Sequence, residues 1–139
     1  MKIDEHFKIA REFDAVLAKL DRQEDGLAVI EMLMMAGTNY MNAVLHENGI
    51  IPEEGDLTHS YKPLPADWDL ESQPVPVQEL MANMKHIEDV RKRYARGKTP
   101  DQTGTPHFEP LADGVVDDCM KRYDAMKEVV QCVFARAAG

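Results

Sequence analysis

The sequence has few of the residues that support disulfide-rich or membrane-spanning proteins. It holds only 2 cysteines in 139 residues, Cys119 and Cys132. On the single helix that we predict for this region they would lie ~20 Å apart along the axis, too far for a disulfide bond. No apolar run approaches the ~20 residues of a transmembrane helix, and the charged N-terminus lacks the apolar core of a secretion signal. We therefore expect a cytoplasmic protein without a membrane span.

Positive charge is also scarce, since the formal net charge is −9. This balance argues against sequence-independent binding of nucleic acid by the whole surface. Basic residues nevertheless concentrate in residues 85–98, which hold 6 Lys and Arg against 2 Asp and Glu. This basic segment is either a solvated helix face or a site for an anion or a partner.

Motifs of common enzyme classes are missing as well. The sequence has no Cys-x-x-Cys pair, no Gly-x-Ser-x-Gly turn and no glycine-rich phosphate loop. The Glu-x-x-His pairs of carboxylate-bridged metal bundles are also absent. We therefore assign no catalytic residue, and we predict no cofactor and no metal. A metal site built from His46, His59 and His107, all near predicted helix–loop junctions, is the alternative.

Apolar residues recur at three- and four-residue spacing and predict an all-α protein. The predicted helices span residues 3–20, 27–47, 77–96 and 111–137. Five prolines interrupt residues 48–76, so this segment is predicted as a long Pro-rich loop between helices 2 and 3. A second irregular loop is predicted at residues 97–110. We expect one domain over residues 1–139, folded as an up-and-down four-helix bundle.

The second predicted helix is apolar over most of its circumference. Such a helix is buried on several sides, either as the central helix of the bundle or also as an interface in a homodimer, which we predict. Gly37 in its middle indicates close approach of another backbone. Its polar residues fall in one arc of ~100° that is either a pocket lining or a solvent-exposed edge. These residues are Glu31, Thr38, Asn39, Asn42 and His46.

Short motifs in this helix and after it resemble the central segment of HEPN domains, small helical domains of prokaryotic nucleotide-related and toxin systems. The matching pieces are Asn42-Ala43-Val44-Leu45, Gly49-Ile50-Ile51-Pro52 and Thr58-His59, and Arg93-Tyr94-Ala95-Arg96 resembles the Arg-Tyr segment of the family. The resemblance implies a four-helix bundle that dimerises through helices and binds a nucleotide or a partner protein. Ribonuclease members carry an Arg followed by a His after four to six residues. Because the nearest pair here, Arg96 and His107, has ten residues between, ribonuclease activity does not carry over.

From these observations we expect a HEPN-like, non-catalytic binding or regulatory module for a nucleotide, another anionic ligand or a partner protein. Arg93 and Arg96 would hold the anionic group through charge-assisted hydrogen bonds. The predicted ligand-binding residues are His46, His59, Tyr61, Arg93, Tyr94, Arg96 and His107.

Three alternatives stay open. The first is a degenerate HEPN-type ribonuclease that uses His107 with Arg96, the only reading in which nucleic acid is a partner. The second is a histidine–metal hydrolase. The third is a structural oligomerisation domain with neither ligand nor activity.

Overall fold

The chain folds into a bundle of α-helices, as its apolar periodicity predicts. A computed structural model describes residues 1–60, 69–97 and 108–138, and these residues form four α-helices and no β-strand. The helices are α1 (Ile3–Leu17), α2 (Gly26–Glu47), α3 (Val75–Val90) and α4 (Val115–Ala138). A 3₁₀ turn at Leu70–Ser72 precedes α3, and a π-helical segment, Arg91–Ala95, continues it. The predicted all-α four-helix bundle is therefore confirmed.

Local backbone chemistry ends α1 earlier and starts α4 later than predicted. After α1, the carboxylate of Asp21 accepts hydrogen bonds from the backbone N–H groups of Gln23 (2.8 Å) and Glu24 (2.9 Å). Such a turn competes with a further helical turn. Before α4, Gly114 has φ +83°, a left-handed conformation that glycine adopts at little cost. The helix therefore begins at Val115.

Helix α2 ends just before the Gly49-Ile50-Ile51-Pro52 motif. Gly49 adopts φ +66°, its N–H donates to the carbonyl of His46 (3.0 Å), and the N–H of Ile50 donates to Leu45 (2.9 Å). These two bonds form a Schellman motif, which satisfies carbonyl groups of the last helical turn. The chain is thereby turned back beside α2.

Helix α2 occupies the centre of the bundle, because it packs against α1, α3 and α4. Its core side chains include Ile30, Leu33, Met41 and Leu45, none of which is exposed to solvent. The prediction of a central helix is confirmed. The homodimer stays a prediction.

Because Gly37 has no side chain, Met84 of α3 can pack close to the backbone of α2. A Cβ atom at this position would lie only 2.7 Å from Sδ of Met84 and 3.5 Å from Cε of Met126. The close neighbours are therefore flexible side chains, not the backbone that the sequence suggested. Methionine suits this role because its thioether adapts to irregular spaces.

Both cysteines are free thiols, Cys119 buried and Cys132 exposed. Burial raises the pKa of the Cys119 thiol to about 11, so the thiol is protonated at neutral pH and serves as a small core side chain. Within the described residues, no helix combines the length and the hydrophobicity needed to cross a membrane.

Candidate metal centre

Two histidines and one aspartate from three separate elements meet at one point. His6 belongs to α1, His46 to the last turn of α2, and Asp56 to the loop that follows. The Nε2 atoms of His6 and His46 lie 3.0 and 2.7 Å from the same carboxylate oxygen, Oδ1 of Asp56. One ligand atom from each residue lies within 4.8 Å of the others. We call these three residues the His-His-Asp cluster.

The second nitrogen of each imidazole is held by an oxygen that can only accept. Nδ1 of His6 lies 2.9 Å from Oδ1 of Asn39, whose amide nitrogen donates to the carbonyl of Met35 (2.9 Å). Nδ1 of His46 lies 3.1 Å from the carbonyl oxygen of Ile51. Because both partners are acceptors, each Nδ1 must carry a proton. This pattern is typical of metal-ligating histidines, whose outer N–H group is oriented by a carbonyl or amide oxygen.

With this assignment, the two Nε2 atoms and the carboxylate oxygen of Asp56 all direct lone pairs towards one another. In neutral imidazoles with a proton on Nδ1, both Nε2 atoms present lone pairs to the carboxylate of Asp56. A single added proton would let one Nε2 atom donate a hydrogen bond to Oδ1 of Asp56. The other Nε2 atom would still direct its lone pair at the same oxygen. Two added protons would place like charges on rings whose centroids are 5.3 Å apart. A cation shared by the three atoms relieves the repulsion without charging either ring.

The cluster is almost closed on the histidine side and open on the aspartate side. The side chains of His6 and His46 are 3% and 2% exposed, whereas that of Asp56 is 30% exposed. Burial by itself would raise the pKa of Asp56, but the hydrogen bond from the Met1 amino group and the contacts with His46 and His6 together lower it. Asp56 is therefore a carboxylate at neutral pH and faces the solvent from which an ion would enter.

Asn42 fixes the loop that carries Asp56. Its side chain is buried, donates to the carbonyl of Leu57 (2.7 Å) and accepts from the Leu57 N–H (2.8 Å). This two-way contact holds the residue next to Asp56 against α2. Asn39, Asn42 and His46 thus lie on the polar arc predicted from the sequence, and in the fold this arc lines a site.

The spacing of the cluster suits an ion after a small expansion. Ligand atoms at the ~2.0–2.2 Å bond lengths of zinc lie about 3.3 Å apart in a tetrahedral shell. The present distances of 2.7 and 3.0 Å must therefore open by a few tenths of an ångström. Three protein ligands leave at least one position for water, as in catalytic zinc sites. Two histidines and one carboxylate are also the ligand set of many mononuclear iron(II) centres.

Of the ligand-binding residues predicted from the sequence, only His46 lies in this cluster. Tyr61 and His107 lie outside the described residues. His59 is half-buried in the loop after α2. The next residue, Ser60, donates its N–H to Oε1 of Glu88 (2.6 Å), which ties this loop to α3.

The predicted arginines both lie beside carboxylates. Arg93 pairs with Glu109 at 2.9 Å. Arg96 lies 3.4 Å from Glu31, whose other carboxylate oxygen pairs with Arg91 at 3.0 Å. Among the described residues, no hydrogen bond or ion pair that we identify joins His46 to either predicted arginine.

Arg93 and Tyr94 do meet, in a cleft of about 440 Å³ between α3 and α4. The guanidinium carbon of Arg93 lies 5.2 Å from the ring centroid of the buried Tyr94. The cleft is lined by His86, Asp89, Val90, Arg93, Tyr94, Asp113, Gly114, Val115 and Asp118. Carboxylates therefore share this surface with the predicted arginine.

Sequence reasoning missed His6 and Asp56 because no helical or motif spacing connects either of them to His46. The available signal was the position of His6 between Ile3 and Ala10 on the apolar stripe of α1, where a histidine is unexpected without a partner. Asp56 had no comparable signal, since its position depends on how the loop returns to α2.

No family model, no curated protein and no solved structure matches the chain. The HEPN-like resemblance therefore stays a prediction.

Proposed function

We propose that the protein binds a divalent transition-metal ion at the His-His-Asp cluster and uses it to activate water for hydrolysis. The observation that carries this proposal is the hydrogen bonding of both Nδ1 atoms, which turns both Nε2 atoms towards Oδ1 of Asp56. This is the histidine–metal alternative of the sequence analysis, with His6 and Asp56 in place of His59 and His107.

The donor set selects the class of ion. Two imidazole nitrogens and one carboxylate oxygen suit Zn²⁺, Fe²⁺, Co²⁺ or Mn²⁺. Ca²⁺ and Mg²⁺ prefer shells made of oxygen. A bound ion of this class would strongly lower the pKa of a coordinated water, to about 7 for Zn²⁺, and could polarise a carbonyl or phosphoryl oxygen. His6 and His46 would hold the ion from two packed helices, and Asp56 would complete the site on the open side.

Metal binding is tested by titrating chelator-treated protein with Zn²⁺ or Co²⁺ in a calorimeter. His6→Ala, His46→Ala and Asp56→Ala should each weaken binding by more than ~100-fold, because even loss of an outer-shell partner costs 10–100-fold. His86→Ala is the matched control, since His86 pairs with Asp118 away from the cluster. Equal affinities for wild type and the three cluster variants would overturn the proposal.

Hydrolysis is tested separately, with the zinc-loaded protein and a panel of chromogenic esters, amides and phosphoesters. We expect turnover that disappears on chelation and in Asp56→Ala. Tight metal binding without turnover of any of these substrates would reject the catalytic half of the proposal and leave a metal-binding module.

A module for an anionic ligand is the second proposal, supported by the shared cleft of Arg93 and Tyr94. An anion would have to replace Glu109 on Arg93 and Glu31 on Arg96. Adenosine triphosphate serves as the probe, and Arg93→Ala/Arg96→Ala should weaken its binding. Unchanged affinity in this double variant would reject the second proposal.

A further inference from the structure

Carboxylates predominate in the segment that carries the open side of the His-His-Asp cluster, where the Met1 amino group also lies, 3.0 Å from Oδ2 of Asp56. Residues 47–57, which include Asp56, hold 4 Asp and Glu and no Lys or Arg. Glu47, Glu53 and Glu54 are the three members of this group outside the cluster, and all three are exposed. We call them the acidic rim. Among the described residues, none of the three side chains forms an ion pair with a basic side chain.

The covalent chain keeps the acidic rim close to the site. Glu47 directly follows His46, and Glu53 and Glu54 precede Asp56 by three and two positions. Because consecutive Cα atoms are 3.8 Å apart, each rim residue lies within about 12 Å of a cluster residue. The fold holds this loop in place through the contact of Asn42 with Leu57 and the contact of His46 with Ile51. The loop that carries Glu53 and Glu54 is therefore held beside the site.

We infer that the substrate of the metal centre is an uncharged or positively charged carbonyl compound, an ester or amide, rather than a phosphate ester or a nucleic acid. This inference rests on the proposed function. The acidic rim raises the local concentration of cations, including the metal ion, and repels anions before they reach the open coordination position. Phosphate groups carry up to two negative charges near neutral pH and are repelled most strongly.

The test uses cobalt-loaded protein, because the visible spectrum of Co²⁺ reports ligands that enter its coordination shell. Inorganic phosphate is the anionic probe and imidazole is the uncharged probe. The test variant, Glu47→Gln/Glu53→Gln/Glu54→Gln, removes the charge of the acidic rim and keeps the size of each side chain. The control variant, Glu24→Gln/Asp117→Asn/Asp124→Asn, removes three exposed charges elsewhere. Glu24 lies just before Gly26, the first residue of α2, which is ~30 Å from His46 along the helix.

Neutralising the acidic rim should tighten phosphate binding about tenfold at 10 mM ionic strength and only about twofold at 150 mM, because salt screens charges at this distance. Imidazole binding should stay within about twofold of wild type, since an uncharged ligand is not repelled. The control variant should bind both probes as wild type does. An unchanged phosphate affinity in the test variant would overturn the inference while the proposed function stands. A cobalt spectrum that is the same in wild type and His46→Ala would overturn both.

Discussion

At the scale of single residues, Asn39 determines which nitrogen of His6 is free to bind a ligand. Its amide nitrogen is engaged by Met35, so its oxygen must face Nδ1 of His6. The proton on Nδ1 then leaves the lone pair on Nε2. Asn39 thus sets which nitrogen of His6, a proposed metal ligand, is available.

We predict that Asn39→Ala weakens Zn²⁺ binding by about 10–100-fold, the usual effect of losing an outer-shell partner of a histidine ligand. Calorimetric titration of chelator-treated protein measures the change. Asn48→Ala is a suitable control, because its amide also bonds to a carbonyl of α2, that of Val44, at 2.8 Å. Equal losses in the two variants would mean that Asn39 acts only through helix stability.

Glu88 is the second residue whose environment has a measurable consequence. It is 1% exposed, and burial raises the pKa of its carboxyl group more than the hydrogen bonds from Ser60 and the charge of Lys92 lower it. Folded Glu88 therefore keeps its proton at pH values where the unfolded chain has released it. The protein loses stability as pH rises from the unfolded pKa, ~4.3, through the raised folded pKa.

We predict that Glu88→Gln removes this loss, because glutamine carries no charge and can still accept from the Ser60 N–H. The free energy of unfolding of the variant, relative to wild type, should rise between pH 4 and pH 7. Urea titrations at several pH values measure it, with the exposed Glu79→Gln as control. A difference between variant and wild type that does not change with pH would contradict the prediction.

At the scale of helices, Asp14 links three of them. This α1 carboxylate accepts hydrogen bonds from the hydroxyl of Tyr40 in α2 (2.7 Å) and from that of Tyr123 in α4. Lys127 lies 4.0 Å from the same carboxylate. Burial and the nearby carboxylate both raise the pKa values of the two tyrosines, which therefore stay protonated donors.

We predict that Tyr123→Phe lowers the free energy of unfolding by about 1–3 kcal/mol, since a hydrogen bond to a charged group is lost and the ring is kept. Tyr94→Phe is the control, because that hydroxyl makes no hydrogen bond that we identify within the described residues. Urea denaturation measures both variants. If Tyr123→Phe is as stable as wild type, water replaces the lost hydroxyl as the hydrogen-bond donor to Asp14 and the prediction is wrong.

At the scale of the whole molecule, the proposed metal ligands join α1, α2 and the loop after α2. The unfolded chain cannot hold these three groups together, so an ion that binds the folded protein stabilises it. At a free ion concentration 100 times the dissociation constant, the gain is about 2.7 kcal/mol. We predict a rise in the melting temperature of several degrees on adding Zn²⁺, reversed by a chelator and absent in His46→Ala. An equal rise in His46→Ala would place the ion elsewhere.

The predicted homodimer also belongs to this scale. Leu27 and Met35 of α2 are 47% and 43% exposed although both are large and apolar. They are eight positions apart and so lie near the same face of the helix. We expect a dimer to bury this face, and native mass spectrometry of untagged protein counts the subunits. A spectrum that shows only the monomer would contradict the predicted dimer interface on α2.

The helices and most of the core could be read from the sequence, because helix formation depends on local spacing. Apolar residues that recur every three or four positions lie on one side of a helix. The left-handed backbone conformation of Gly49 ends α2. Stretches that depend on side-chain hydrogen bonds, such as the turn after α1, were predicted less well because several local geometries compete there.

The candidate site was decided by tertiary structure. His6 and Asp56 are separated by 50 positions, and no local pattern brings them together. They meet because α1 packs against α2 and because Asn42 holds the returning loop by the backbone of Leu57. The sequence determined that α2 would carry a polar arc. Only packing between elements decided that this arc would face a histidine and a carboxylate rather than water.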